Sequence, residues 1–171
     1  MKERRLRLTG LILILFLLGG CKAVDEIGAK KEPSPQPVGD SWPGFKFSEV
    51  VAYRTNWADG DAFESVVRDG ALNPKSTPQD KIKLDASQIR RLRLAVTGVH
   101  REHPIAMCLY PHHSFVFYDE SGGIVGHIDI CFLCSNYRGS PKENFADVWD
   151  LDGLKTLIED LGMPIKNPAW R

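Results

Sequence analysis

No apolar run in these 171 residues approaches the roughly twenty needed to span a membrane; the longest, Leu11 to Leu18, is eight residues. Charge of one sign is not in excess either, with 22 Lys and Arg against 22 Asp and Glu, so nothing in the balance attracts nucleic acid. Also missing are a nucleophile elbow, a phosphate-binding loop, a Ser-His-Asp order and an acid pair, the patterns that define many hydrolases and transferases. Asp59-Gly60-Asp61 and the group Asp147, Asp150, Asp152 lack the alternating oxygen ligands of a calcium loop and read as turn and helix-cap residues. The residue after Cys134 is Ser135 and not His, which excludes attached haem. Cysteine is scarce, with four in all: Cys21, Cys108, Cys131 and Cys134.

What is present begins at the amino terminus. Lys2, Arg4, Arg5 and Arg7 lead into the short apolar core and then Leu18-Gly19-Gly20-Cys21, the order of charge, apolar core and small residues that an export signal requires. The last four residues resemble the lipobox of bacterial lipoproteins. That resemblance implies a signal peptide over 1–20, cleavage before Cys21, diacylglycerol on its sulfur and acylation of the new amino terminus. Several acyl chains, at about 0.8 kcal/mol per buried methylene, make such an anchor effectively permanent. The chain is then anchored to a membrane of the cell envelope without spanning it. Lys22, where Asp would mark inner-membrane retention, implies the outer membrane, facing the periplasm, if the organism is Gram-negative.

Removal of residues 1–20 takes away four basic residues and one acidic one and leaves a net charge of about −3. Residues 21–41 carry charges, small residues and spaced prolines (Pro33, Pro35, Pro37); with so little apolar content they read as the lipidated Cys and a flexible tether. From 42 to 171 the composition is that of one globular domain and includes all four Trp.

Within that domain, Phe45–Arg54 alternates as a strand, Asp59-Gly60 signals a turn and Phe63–Arg68 returns as its partner, a first hairpin. Asn73–Asp80 reads as a loop. Asp85 and Gln88 form a capping-box pattern ahead of Ile89, Leu92, Val96 and Val99, predicting a helix over about 86–97. Its Arg90, Arg91 and Arg93 read as a solvated face. A last helix is predicted from Leu151, Leu154, Leu157, Ile158 and Leu161, capped by Asp150 and stopped by Gly162 and Pro164. The expectation is a small α+β domain, antiparallel hairpins packed by two helices.

Two β-rich runs flank Gly122-Gly123. A two-residue loop there pairs Phe117 with Ile128, Phe115 with Ile130 and His113 with Phe132, an apolar face, while His127, Asp129 and Cys131 alternate on the other. His127 and Asp129 read as residues of that polar face. The open end of the hairpin brings His112 and His113 beside Cys131 and Cys134, with Cys108 within reach.

Three chemistries fit this cluster. In an oxidising compartment two of the three cysteines left after lipidation of Cys21 would pair, leaving one thiol over. Cys108, one of the two His, Cys131 and Cys134 would also supply four ligands for zinc. Finally, Cys131-Phe-Leu-Cys134 could exchange disulfides, although it ends a strand, runs into Ser135–Pro141, which reads as a loop, and lacks the helix start that lowers a thiol pKa. The Cys108-x-x-Pro111-x-His113 element together with Cys131-Phe132-x-Cys134 resembles a segment of exported bacterial proteins to which no activity attaches. The resemblance implies that the Cys and His set belongs together, with His113 rather than His112; the register instead puts His113 on the apolar face. The expected function is a non-enzymatic envelope lipoprotein that binds a protein or small-molecule partner; the alternative is a zinc-binding or thiol-redox protein using Cys108, His113, Cys131 and Cys134.

Overall fold

The computed structural model describes residues 42–57, 63–76 and 78–166. All of them fall within Pro33–Arg171, the larger of the chain's two units. The signal segment, Cys21, the tether and the Asp59-Gly60 turn lie outside the described residues.

The domain is α+β: a five-stranded antiparallel sheet backed by two helices. Strand β1 (Glu49–Thr55) is followed by a small pair, β2 (Val67–Arg68) and β3 (Ala71–Leu72). Then come β4 (Pro78–Lys83), helix α1 (Ala86–Val96), β5 (His113–Tyr118), β6 (Ile124–Cys131), β7 (Asn136–Ser140) and helix α2 (Leu151–Asp160). The sheet order is β4-β1-β5-β6-β7. No helix among the described residues is long and apolar enough to cross a membrane.

Both helices follow from their caps. Asp85 accepts from the backbone N–H groups of Ser87 and Gln88 while Gln88 accepts from the Asp85 N–H, the expected capping box. Asp150 caps α2 through Gly153, and Gly162, at φ +76°, closes it with bonds from Gly162 N to Glu159 O and Met163 N to Ile158 O. Helix α1 ends at Val96, so Val99, expected on its apolar stripe, stands exposed past the end. Two of its last carbonyls are taken by the chain before α2, from Ala146 N to Val96 O and Asp150 N to Ala95 O.

One face of the sheet carries the main core. Val50, Ala52, Phe115, Phe117, Ile128 and Ile130 meet Leu92 and Val96 of α1 and Leu154, Leu157 and Ile158 of α2, with Trp149 between them. Each fully buried Val, Leu, Ile or Phe among them contributes about 1.5–3 kcal/mol. The opposite face holds a smaller cluster, Val51, Tyr53 and Val116, covered by Val66. Strand β1 is therefore buried on both faces and reads as the near-continuous apolar run Val50-Val51-Ala52-Tyr53.

Four sequence expectations give way. The segment 63–68 does not pair with β1; it crosses the second face, and β1 pairs with β4 and β5 instead. The predicted loop Asn73–Asp80 contains the start of β4, and the predicted loop after Cys134 is β7, paired with β6 from Cys131–Asn136 to His127–Ser140. The β5–β6 register is offset by two residues, with Phe115 opposite Ile128, Phe117 opposite Gly126 and His113 opposite Ile130. Asp119 causes the offset. Its carboxylate accepts from Ser121 N, Ser121 Oγ and Gly123 N, and its own N–H donates to Gly123 O, so the loop is longer than Gly122-Gly123. An offset of two leaves each side chain on its predicted face.

Candidate functional site

The five clustered residues separate into two places. Cys108 and Cys134 form a disulfide, with sulfurs 2.13 Å apart and Cα atoms 5.8 Å apart. Cys131 is the remaining thiol, buried beside them with Leu109. The turn 132–135 after β6 folds Cys134 back so that its N–H donates to Cys131 Sγ at 3.3 Å. Opposite the turn, the irregular chain 106–109 is fastened by Ala106 N to Cys134 O and by Asn136 Nδ2 to both Ala106 O and Cys108 O.

The histidines belong elsewhere. Along β6, Ile130 faces the main core and Cys131 faces the other way; His113, opposite Ile130 and in line with Phe115, is on the core side. It is 1 % exposed, packs edge-on against Phe132 at 5.3 Å, and its Nε2 donates to the Pro164 carbonyl at 3.0 Å. The association of His113 with the cysteines, implied by the segment resemblance, thus gives way to the register's placement. His112 donates from Nδ1 to Thr55 O at 3.4 Å, in a turn fixed by Thr55 Oγ1 and Trp57 Nε1 on the Pro111 carbonyl. Burial lowers both pKa values, that of His113 to about 4, so both imidazoles are neutral at pH 7. Among the described residues, no group of three or more His, Cys, Asp and Glu is placed to hold a metal ion.

His112 and His113 instead line a cavity of about 610 Å³. Phe132 and Leu133 of the β6–β7 turn, Leu151 at the start of α2 and Ile165 supply its apolar wall. Lys155, Lys166, Asp152 and Ser135 supply its polar groups. The volume lies within the range of small-molecule sites, and an apolar wall with a few placed polar groups is their usual composition.

On the second face of the sheet lies a polar network that sequence reading missed, apart from His127 and Asp129. Asp129 is fully buried and accepts from Ser114 Oγ (2.8 Å), Ser65 Oγ (2.7 Å), Val66 N (3.2 Å) and Arg138 Nε (3.0 Å). Arg138 also donates to the carbonyls of Phe63 and Glu64. His127 Nε2 is 2.9 Å from Ser65 Oγ and 3.8 Å from Asp129 Oδ2. The Ser65 hydroxyl hydrogen is committed to Asp129, so the imidazole N–H donates to Ser65 and does not accept from it. Burial lowers the His127 pKa despite the nearby carboxylate. Such a network fastens 63–66 to the sheet; a nucleophile and its base would need the opposite direction of donation. Neither residue carries a local signal: Arg138 sits in Asn136–Ser140, whose composition reads as a loop, and Ser65 is an isolated serine.

The chain matches no protein-family model, no curated protein and no solved structure.

Proposed function

We propose that this chain is a lipid-anchored protein of the bacterial cell envelope whose folded domain binds an apolar small molecule with an anionic head, without catalysis. The export signal and Cys21 support the anchor. The observation that carries the binding reading is the cavity of about 610 Å³ beside His113, walled by Phe132, Leu133, Leu151 and Ile165. Its charged groups are two lysines and one aspartate, and its two imidazoles are neutral. The surplus of positive charge favours a carboxylate or phosphate head over an ammonium. The zinc reading needs Cys108, Cys131 and Cys134 all as thiolates, and two of those sulfurs are joined to each other.

Two measurements test the two halves. Cells fed labelled palmitate should incorporate it into the wild-type chain and not into Cys21→Ser, which should leave the membrane fraction; an unlabelled wild type overturns the anchor. Titration of the full chain with dodecanoate and dodecylamine should give saturable binding of the carboxylate only, weakened in Lys155→Glu. Absence of saturable dodecanoate binding overturns the ligand reading.

A further inference from the structure

The third thiol has no part in that function, and its position is unusual. Cys131 lies at the end of β6, three residues from Cys134, in the turn that directs the Cys134 N–H onto its sulfur. Cys131 and Cys134 are buried, whereas Cys108 is only partly buried and follows Met107, which is 95 % exposed. No helix or strand lies between Val96 and His113. The disulfide thus joins a buried sulfur held in a turn to a more accessible sulfur on irregular chain, with a thiol beside the buried end.

We propose that the three cysteines form an internal thiol–disulfide exchange relay in which Cys131 displaces Cys108 from Cys134 and presents Cys108 as a surface thiol for mixed-disulfide formation. In the first step Cys131 gives its proton to water and its sulfur attacks Cys134 Sγ. The Cys131–Cys134 bond forms, the Cys108–Cys134 bond breaks, and its electron pair leaves on Cys108 as the thiolate, so the only net proton change is the one Cys131 has lost to water. No electron is gained or lost, so no external oxidant is needed. In the second step the Cys108 thiolate attacks a disulfide R–S–S–R, keeps one half as Cys108–S–S–R and releases the other as RS⁻.

Burial does not separate attacker from target, because both share one turn; only the Cys131 proton has to reach water, by an opening of that turn. The new link closes the short Cys131-Phe-Leu-Cys134 loop, and the 106–109 chain stays docked through Asn136 and Ala106 after its covalent tie is lost. Cys108 is the better leaving position because it is the more exposed residue of the pair.

The test incubates the full chain with oxidised glutathione at mildly alkaline pH, quenches with acid and maps the unreduced peptides by mass spectrometry. Glutathione on Cys108 together with a Cys131–Cys134 link is the expected result, and Cys131→Ala should lose the Cys108 adduct. An adduct on Cys131, or an intact Cys108–Cys134 link with no adduct, overturns the proposal. A Cys108→Ser chain gives an independent reading: it should form the Cys131–Cys134 disulfide on air oxidation, and two persistent free thiols in that variant would overturn the relay equally.

Discussion

The buried imidazole of His113 makes the domain acid-sensitive in a way that one substitution isolates. An unfolded histidine titrates at 6.5, while His113 in the fold titrates at about 4, mainly because burial disfavours the charged form. Between those values the unfolded chain binds more protons than the native one, so stability is fully present above about pH 6.5. It falls as pH is lowered through the window and the loss levels off below about pH 4. From about pH 7.5 to about pH 4.5 the two pKa values give a loss of about 2.5 kcal/mol from this residue alone. His113→Phe removes the titration and keeps an aromatic ring against Phe132, at a pH-independent cost of about 1–2 kcal/mol for leaving the Pro164 carbonyl without its donor. Urea unfolding of the full chain, followed by tryptophan fluorescence at the two pH values, should show the wild type losing about 2.5 kcal/mol more than His113→Phe. Contributions from groups without charge coupling to His113, such as His127, are common to both chains and cancel in the difference; the smaller couplings to His112 and Asp80 belong to the His113 titration itself. Parallel stability profiles for the two proteins would refute the reasoning, and His113→Gln, which keeps a donor without a titration near neutrality, should follow the Phe variant.

Removing the Asp129 charge with Asp129→Asn leaves the Arg138 guanidinium without its buried counter-charge and should cost about 3 kcal/mol in urea unfolding, with proteolytic nicking near 63–66 appearing before global unfolding. Replacing Cys108 and Cys134 together with Ala opens a loop with a sequence separation of 26 and should cost about 3.5 kcal/mol by chain-entropy reasoning, read as a lowered denaturation midpoint. Gly139→Ala places a Cβ 2.2 Å from Phe145 Cδ2, so the Phe145 ring must move, and thermal melting should report a loss of about 1–3 kcal/mol.

The parts of this fold that were legible in the sequence are those whose physics is local. Asp85 and Gln88 announce α1 because their bonds close within one turn, and Gly162 stops α2 because a residue at φ +76° is needed next to Asp160 and Leu161. The β5–β6 hairpin was found with the right faces and a wrong offset. Face is set by alternation, which a sequence displays, whereas the offset was set by one Asp119 carboxylate reaching forward into its own loop. The cysteine cluster was legible to the same depth: the topology that gathers Cys108, Cys131 and Cys134 could be read, but which two of them face each other depends on a turn geometry that no spacing fixes.

Two of the strands that were missed, β4 and β7, share a cause, since both are edges of the five-stranded sheet. Pro78-Gln-Asp-Lys-Ile-Lys and Asn136-Tyr-Arg-Gly-Ser look like loops because an edge strand gains by looking so: proline, lysine and asparagine on an outer rim discourage pairing with another chain. The same composition that protects the edge removes the alternation by which a strand is recognised. In β7 the concealment extends to the buried polar network, since Arg138, which holds 63–66 against the sheet through Asp129, is found only when its neighbours are seen to be a strand. The cavity beside His113 was hidden for a related reason. Its walls come from the start of β5, the turn after β6, the first turns of α2 and the chain after Pro164, and none of these residues, taken in its own segment, signals a cavity.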